Sequence, residues 1–276
     1  MKVWFITGAS RGFGRLWAEA ALRRGDKVAG TARNLTTLEP LVSEFGASFL
    51  PLQLDVTDRD AAFAAVKAAH DYFGRLDVVV NNAGFGHFGM VEEATEAEMR
   101  GQIETNVYGA LWVTQAALPY MRAQHSGHII QVSSISGITA FPMLGIYNAS
   151  KFALEGMSQA LALEVADFGI RVSIVEPGPF GTDWSGSSAV QSEPMEAYAA
   201  YRAQVQAARA ERAKTILGDP KNTVTPILTL VDAENPPLRM FLGENMFKEA
   251  VADYGKRLTE WAQWQPVAAL ATRPNG

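Results

Sequence analysis

The chain has 276 residues, 24 Lys+Arg against 29 Asp+Glu, and 48% hydrophobic residues. That composition can build a sizeable core and excludes a mostly disordered chain, while a net charge of -5 gives general nucleic-acid binding little electrostatic support. With no cysteine, disulfides, thiolate metal sites and cysteine nucleophiles are excluded together.

Taken in chain order, Lys2–Thr7 is a short apolar run stopped by glycine, the pattern of a buried strand, and residues 12–24 read as a helix ending before Gly25. Lys27–Thr31 is a second strand, 35–45 is weakly helical, and Ser48–Leu54 is a third strand. An alanine-rich helix over Asp58–Phe73 precedes a fourth strand at Asp77–Val80. Helical segments at 96–104 and 107–123 lead to a fifth strand, Gly127–Val132. A strong helix at 148–167 is followed by a sixth strand, Arg171–Val175. Strands alternating with helices predict parallel βαβ units in an α/β fold, a doubly wound sheet between two helical layers. The nearly continuous apolar strands agree, because such strands are covered on both faces.

After Pro177 the rhythm breaks into a Pro/Gly/Ser-rich stretch to about 194, then helices at 194–215 and 223–233 and a last strand at Leu238–Leu242. The expectation is a single domain over 1–276, with an inserted helical segment at about 178–216 forming a pocket wall and a loose, patternless tail at about 265–276. Every residue from Ala123 to Ser150 is uncharged. That stretch is long enough to span a bilayer, but it carries His125, Gln131, Ser133, Ser134, Ser136, Pro142 and Asn148, a polar load that a lipid-facing helix does not accommodate. The N-terminus has no secretory h-region, so a soluble, cytoplasmic protein is expected.

The turn Thr7–Gly14 (TGASRGFG) follows the first strand and opens a helix. Glycines let the backbone approach a pyrophosphate, and a helix N-terminus offers free N–H groups and a positive dipole end. Gly8, Ser10, Arg11, Gly12, Phe13 and Gly14 are therefore candidate cofactor contacts. Selection of NAD usually places an acid after the second strand; here Thr31-Ala32-Arg33-Asn34 has none. Arg11 and Arg33 are either solvated surface residues or a pair that grips a ribose 2′-phosphate; together with the missing acid they favour NADP, with NAD still possible.

Tyr147 and Lys151 stand four apart on a helix and share a face. A phenol is a poor acid at neutral pH, and a neighbouring ammonium favours its phenolate and lowers its pKa. The motifs around this pair occur in a fixed order: TGASRGFG at 7–14, Asp55-Val56, Asn81-Asn82-Ala83-Gly84, Asn106, Ser133-Ser134, Tyr147/Lys151 and Pro177-Gly178. Over roughly residues 1–183 the chain resembles the short-chain dehydrogenase/reductase family, and more loosely its hydroxysteroid- and retinol-dehydrogenase-like members.

The resemblance implies a Rossmann-type enzyme that interconverts a ketone and a secondary alcohol by hydride transfer. Tyr147 would exchange the proton, Lys151 would bind the nicotinamide ribose and depress the tyrosine pKa, and Ser134 would hydrogen-bond the carbonyl oxygen. Strand alternation would point Ser133 away. Asn106 would hold a relay water, Asp55 and Val56 would meet the adenine, Asn82 and Gly84 the adenosine ribose region and Thr182 the nicotinamide amide, with Ala83, Pro177 and Gly178 as further cofactor contacts. It further implies a homodimer or homotetramer through the helices at 107–123 and 148–167. A catalytically idle NADP-binding sensor or scaffold is the alternative, one with no need of Asn106, Ser134, Tyr147 and Lys151 together.

Phe141, Met143 and Trp184 are either an apolar substrate wall or core, which makes the expected substrate a fairly apolar small molecule. His87 reads as a polar loop residue or a pocket liner. His125 and His128 form an HxxH pair without a third ligand nearby in sequence, so no metal site is expected.

Overall fold

In the computed structural model, which describes residues 1–182, 184, 186 and 189–272, seven parallel strands form one sheet. Its first half comprises β1 (Val3–Ile6), α1 (Gly12–Arg23), β2 (Lys27–Ala32), α2 (Glu39–Phe45), β3 (Phe49–Gln53), α3 (Arg59–Phe73) and β4 (Val78–Asn81). There follow β5 (His87–Phe88), α4 (Glu96–Ile103), α5 (Gly109–Gln124), β6 (Gly127–Val132), α6 (Gly145–Glu164) and β7 (Ile170–Pro177). The last part is β8 (Val190–Gln191), α7 (Ala199–Ile216), α8 (Val224–Asp232), β9 (Arg239–Leu242) and α9 (Met246–Ala268).

The sheet order is β3-β2-β1-β4-β6-β7-β9, so the winding reverses between β1 and β4 and opens a crevice at the carboxyl ends of those strands. Strand alternation sorts the apolar side chains into two cores. Trp4 and Ile6 of β1 face a layer containing Trp17 of α1 and Ile227 and Leu230 of α8. Val3 and Phe5 face Val66 and Ala69 of α3 and Val113 and Ala117 of α5. Each fully buried large side chain contributes about 1.5–3 kcal/mol, so a register slip by one residue would forfeit both cores at once. The three-layer Rossmann-type architecture is the one the sequence predicts.

Three features differ from the sequence reading. The helical segments at 96–104 and 107–123 join through a π-helical turn at Glu104–Tyr108, which contains Asn106. A parallel two-residue pairing of β5 with β8 closes the segment after β7 onto the body. Of the loose tail expected at about 265–276, the described part is helical: α9 continues to Ala268 and a 3-10 turn reaches Thr272, despite Pro266 inside the helix, and 273–276 lie outside the described residues. Met246 and Ala250 of α9 are buried, while Phe247, Val251, Tyr254, Leu258 and Trp261 recur at helical spacing along an exposed stripe. Among the described residues, no helix is long and apolar enough to cross a membrane.

Candidate active site

The crevice begins with the turn after β1. A Cβ on Gly14 would lie 2.4 Å from the Gly8 carbonyl oxygen, so the helix–turn contact admits glycine alone. Gly8 and Gly12 have φ of 68° and 55°, and a Cβ on Gly12 would meet nothing within 4 Å, which leaves the outer face of the turn open. Arg11, the N-cap of α1, makes no side-chain cap hydrogen bond, so the first N–H groups of α1 are not answered by its own cap. This uncapped helix start behind an open glycine turn fits a pyrophosphate. Ser10 is half-buried and Arg11 exposed, while the Phe13 ring turns inward onto Trp17 and Phe180.

Asn82 braces this turn through its side chain. Its side-chain amide donates to the carbonyls of Thr7 at 2.9 Å and Gly8 at 3.2 Å, and the Thr7 hydroxyl accepts the N–H groups of Asn82 and Ala83. These bonds tie the end of β4 to the turn after β1. At the far side of the crevice Arg33 is exposed just after β2, and Asp55 is exposed just after β3. The Asp55 carboxylate accepts the Thr57 N–H at 3.0 Å and its hydroxyl at 2.7 Å. Partial burial would raise its pKa, but those bonds and the charge of Arg33 outweigh it and hold the group below its ordinary value. Val56 is buried beside Gly109.

Helix α6 begins at Gly145, three residues ahead of the sequence estimate, which puts Tyr147 in its first turn and Lys151 one turn later. The Lys151 Nζ lies 5.6 Å from the Tyr147 ring centroid and donates to the Val132 carbonyl at 2.8 Å. Ser134, extended at the end of β6, lies near enough to the Tyr147 phenol to act on its pKa and accepts the Ser136 N–H at 3.1 Å. Ser133 turns the other way, against Gly137 and Glu155. Asn106 is buried and fully engaged: its amide bonds the N–H and carbonyl of Phe85, each at 3.2 Å, and the Ser150 hydroxyl at 3.1 Å. Its side chain thereby braces α6 against the loop after β4, where a Cβ on Gly84 would sit 3.0 Å from Asn106 Oδ1 and 3.9 Å from Lys151 Nζ. Pro177 ends β7 with its carbonyl 3.5 Å from the Ser134 hydroxyl, Gly178 donates its N–H to Leu242, and the Thr182 hydroxyl accepts the Trp184 N–H at 3.4 Å.

The sequence profile of the short chain dehydrogenases matches residues 2–193. The chain belongs to the short-chain dehydrogenase family. It is similar to the oxidoreductase BOA17 of Botryotinia fuckeliana, with 41% identity over 250 residues covering 90% of this chain and 91% of that protein. It is also similar to the 3-ketodihydrosphingosine reductase of Bacteroides thetaiotaomicron, 37% identical over 245 residues and covering 88% of each. A crystal structure of a short-chain dehydrogenase from Streptomyces avermitilis superposes with a TM-score of 0.89 at 38% identity, covering 98% of this chain and 100% of that one.

In this dehydrogenase, burial pushes the Tyr147 phenol above its ordinary pKa, partly offset by the neighbouring Ser134 hydroxyl. Burial instead lowers Lys151 to about 8, opposed by the charge of Glu155. Glu155 belongs to a buried cluster that the sequence did not announce. Arg239 Nε of β9 lies 3.0 Å from Glu155 Oε2 and 3.5 Å from Glu176 Oε1 of β7. Burial, with the neighbouring Glu155 carboxylate, pushes Glu176 up to about 8. A carboxyl whose folded pKa is raised contributes full stability below its unfolded value near 4.5 and loses it as pH rises towards 8. Glu176→Gln is therefore expected to match the wild type near pH 4.5 and to melt several degrees higher at pH 8; equal melting shifts at both pH values in thermal scans would contradict this.

The mouth of the site is apolar. Phe88, Leu144 and Tyr147 form a buried cluster against Phe141, Trp184 and Ala189, with the Trp184 ring 4.9 Å from Tyr147 and 5.3 Å from Phe88. Met143 holds a positive φ of 63° while its carbonyl accepts the Gly89 N–H. His87 is a buried strand residue rather than a loop one, its Nε2 3.0 Å from the Ser192 hydroxyl of the segment after β8. His128 is buried against Ser173 and His125 caps α5; among the described residues no group of three His, Asp or Glu could hold a metal.

Proposed function

We propose that this dehydrogenase interconverts a ketone and a secondary alcohol with NADP(H), NADP being preferred over NAD. The observation that carries the reading is the convergence of Ser134, Tyr147 and Lys151 from β6 and α6 at the crevice edge beside Gly84. When bound, a nicotinamide cofactor supplies or accepts the hydride. The chain's own residues do the rest. The glycine turn and the start of α1 hold the pyrophosphate, and Arg11 and Arg33 meet the 2′-phosphate where an acid would repel it. Asp55, Val56, Asn82, Ala83 and Gly84 line the adenosine side, and Pro177, Gly178 and Thr182 the nicotinamide side.

Ser134 hydrogen-bonds the carbonyl oxygen and steadies the charge that develops on it, while Tyr147 delivers its proton to that oxygen. The raised phenol pKa means that Tyr147 keeps its proton at neutral pH, the state ketone reduction uses. Lys151, held by Val132, keeps a cation near the phenol as the proton leaves. Phe88, Leu144 and Trp184 present an apolar wall, which favours a fairly apolar substrate body.

Turnover of a ketone and alcohol panel with NADPH and NADH tests this reading, and the absence of cofactor-dependent turnover across the panel would overturn it. Arg33→Asp tests the cofactor choice. Loss of one charge-assisted contact should weaken NADPH binding roughly ten- to a hundredfold and shift preference towards NADH. Unchanged NADPH affinity by fluorescence titration would sink the role assigned to Arg33.

A further inference from the structure

We propose that Arg209 of α7 anchors an anionic group on the substrate, so that the site takes carbonyl or alcohol compounds with an apolar body ending in a carboxylate or phosphate. The proposal rests on the hydride-transfer reading of the site above and adds the class of compound it accepts.

The Arg209 guanidinium lies 4.7 Å from the centroid of the Phe88 ring. Phe88 contacts Trp184 at 5.3 Å, and Trp184 contacts Tyr147 at 4.9 Å. Arg209 thus stands at the outer end of the apolar wall whose inner end is the proposed proton donor. Helix α7 is fastened on either side of this residue. Towards its start, Arg202 pairs with the buried Glu93 carboxylate, which also accepts the Met195 N–H at 2.8 Å. Towards its end, Arg212 pairs with Glu249 of α9. The cation at the rim is therefore held in place by the fold.

Among the described residues Arg209 has no carboxylate or carbonyl partner, unlike Arg202 and Arg212 on the same helix. Its outer surface is exposed, but the protein packed beneath it lowers its pKa by desolvation. Of the acids that bond the segment around β8, Glu93 is engaged by Arg202 and Glu98 by Thr95 and Ser192. A guanidinium partly withdrawn from water has five N–H donors arranged to match a carboxylate or phosphate, and a ring beneath it directs those donors outward along the pocket rim. An alkyl chain lying along Phe88 and Trp184 would place such a head group at Arg209 and its other end at Tyr147.

Calorimetric titration of decanoate, decyl phosphate and decanol into the NADPH-loaded protein tests the proposal and separates the two anion types. The wild type should bind at least one anion about tenfold more tightly than decanol. Arg209→Gln should remove that advantage while leaving decanol unchanged, and Arg209→Lys should keep part of it. Anions binding no tighter than decanol to the wild type, or equal weakening of all three ligands in Arg209→Gln, would overturn it. If NADPH itself failed to bind, the hydride-transfer reading would fall, and the same comparison on the protein without cofactor would still decide the role of Arg209.

Discussion

Tyr147→Phe is expected to lower kcat for ketone reduction by roughly a hundred- to ten-thousand-fold, the range general acid catalysis contributes, while NADPH affinity stays near wild type. The phenyl ring keeps the contact with Trp184 and the packing against Leu144, so the change removes one proton donor and little else. Wild-type turnover in this variant would exclude Tyr147 as the acid. The pH profile gives a second readout. Lys151 is lowered to about 8, so reduction should decline as pH rises through that value and the ammonium loses its proton. Lys151→Met should be slow at all pH values and lack that limb. The phenol itself, pushed up by burial, stays protonated through the same range, which assigns the limb to the lysine.

The sheet was legible because its strands are short apolar runs, and the two buried faces demand those residues wherever the crossovers place them. The order of the site motifs was legible because each follows a strand at the same edge of the sheet: Thr7 after β1, Asn82 after β4, Ser133 after β6 and Gly178 after β7. What the individual side chains touch was less so. Asn82 and Asn106 carry motif positions, yet their amides are spent on Thr7, Gly8, Phe85 and Ser150, bonds that only the folded chain brings together.

In the linear sequence Lys151 is the first charge after the uncharged stretch from Ala123 to Ser150, which holds Tyr147. Folding changes that picture, because Glu155 comes from one turn beyond Lys151 and Glu176 and Arg239 from two neighbouring strands. Linear charge spacing does not report neighbours supplied by other strands. The β5–β8 pairing was equally hidden, since two residues carry no periodicity and their partners lie about a hundred positions apart. Helix α9 differs from that pairing: Phe247, Val251, Tyr254, Leu258 and Trp261 recur at helical spacing, so the sequence does carry its periodic signal, although the fold leaves the stripe exposed.

Gly14→Ala should abolish tight NADPH binding and destabilise the fold on the order of 3 kcal/mol. The added methyl would approach the Gly8 carbonyl oxygen, a backbone atom, to 2.4 Å and the end of the Asn82 side chain at Nδ2 to 2.6 Å. Asn82 is itself held by the Thr7 and Gly8 carbonyls, so relief requires the turn to move away from α1 and to break the tie between β1 and β4. Gly12→Ala provides the contrast. Its Cβ meets nothing within 4 Å, but its φ of 55° strains an alanine, so about 1 kcal/mol is lost with no clash in the turn. Any fall in NADPH affinity for Gly12→Ala then reports crowding at the open outer face. Thermal melts with NADPH titrations separate the two effects. If Gly14→Ala bound NADPH like the wild type, close packing of turn and helix would not be what shapes the phosphate site. If Gly12→Ala bound it unchanged, the pyrophosphate would not lie against that face.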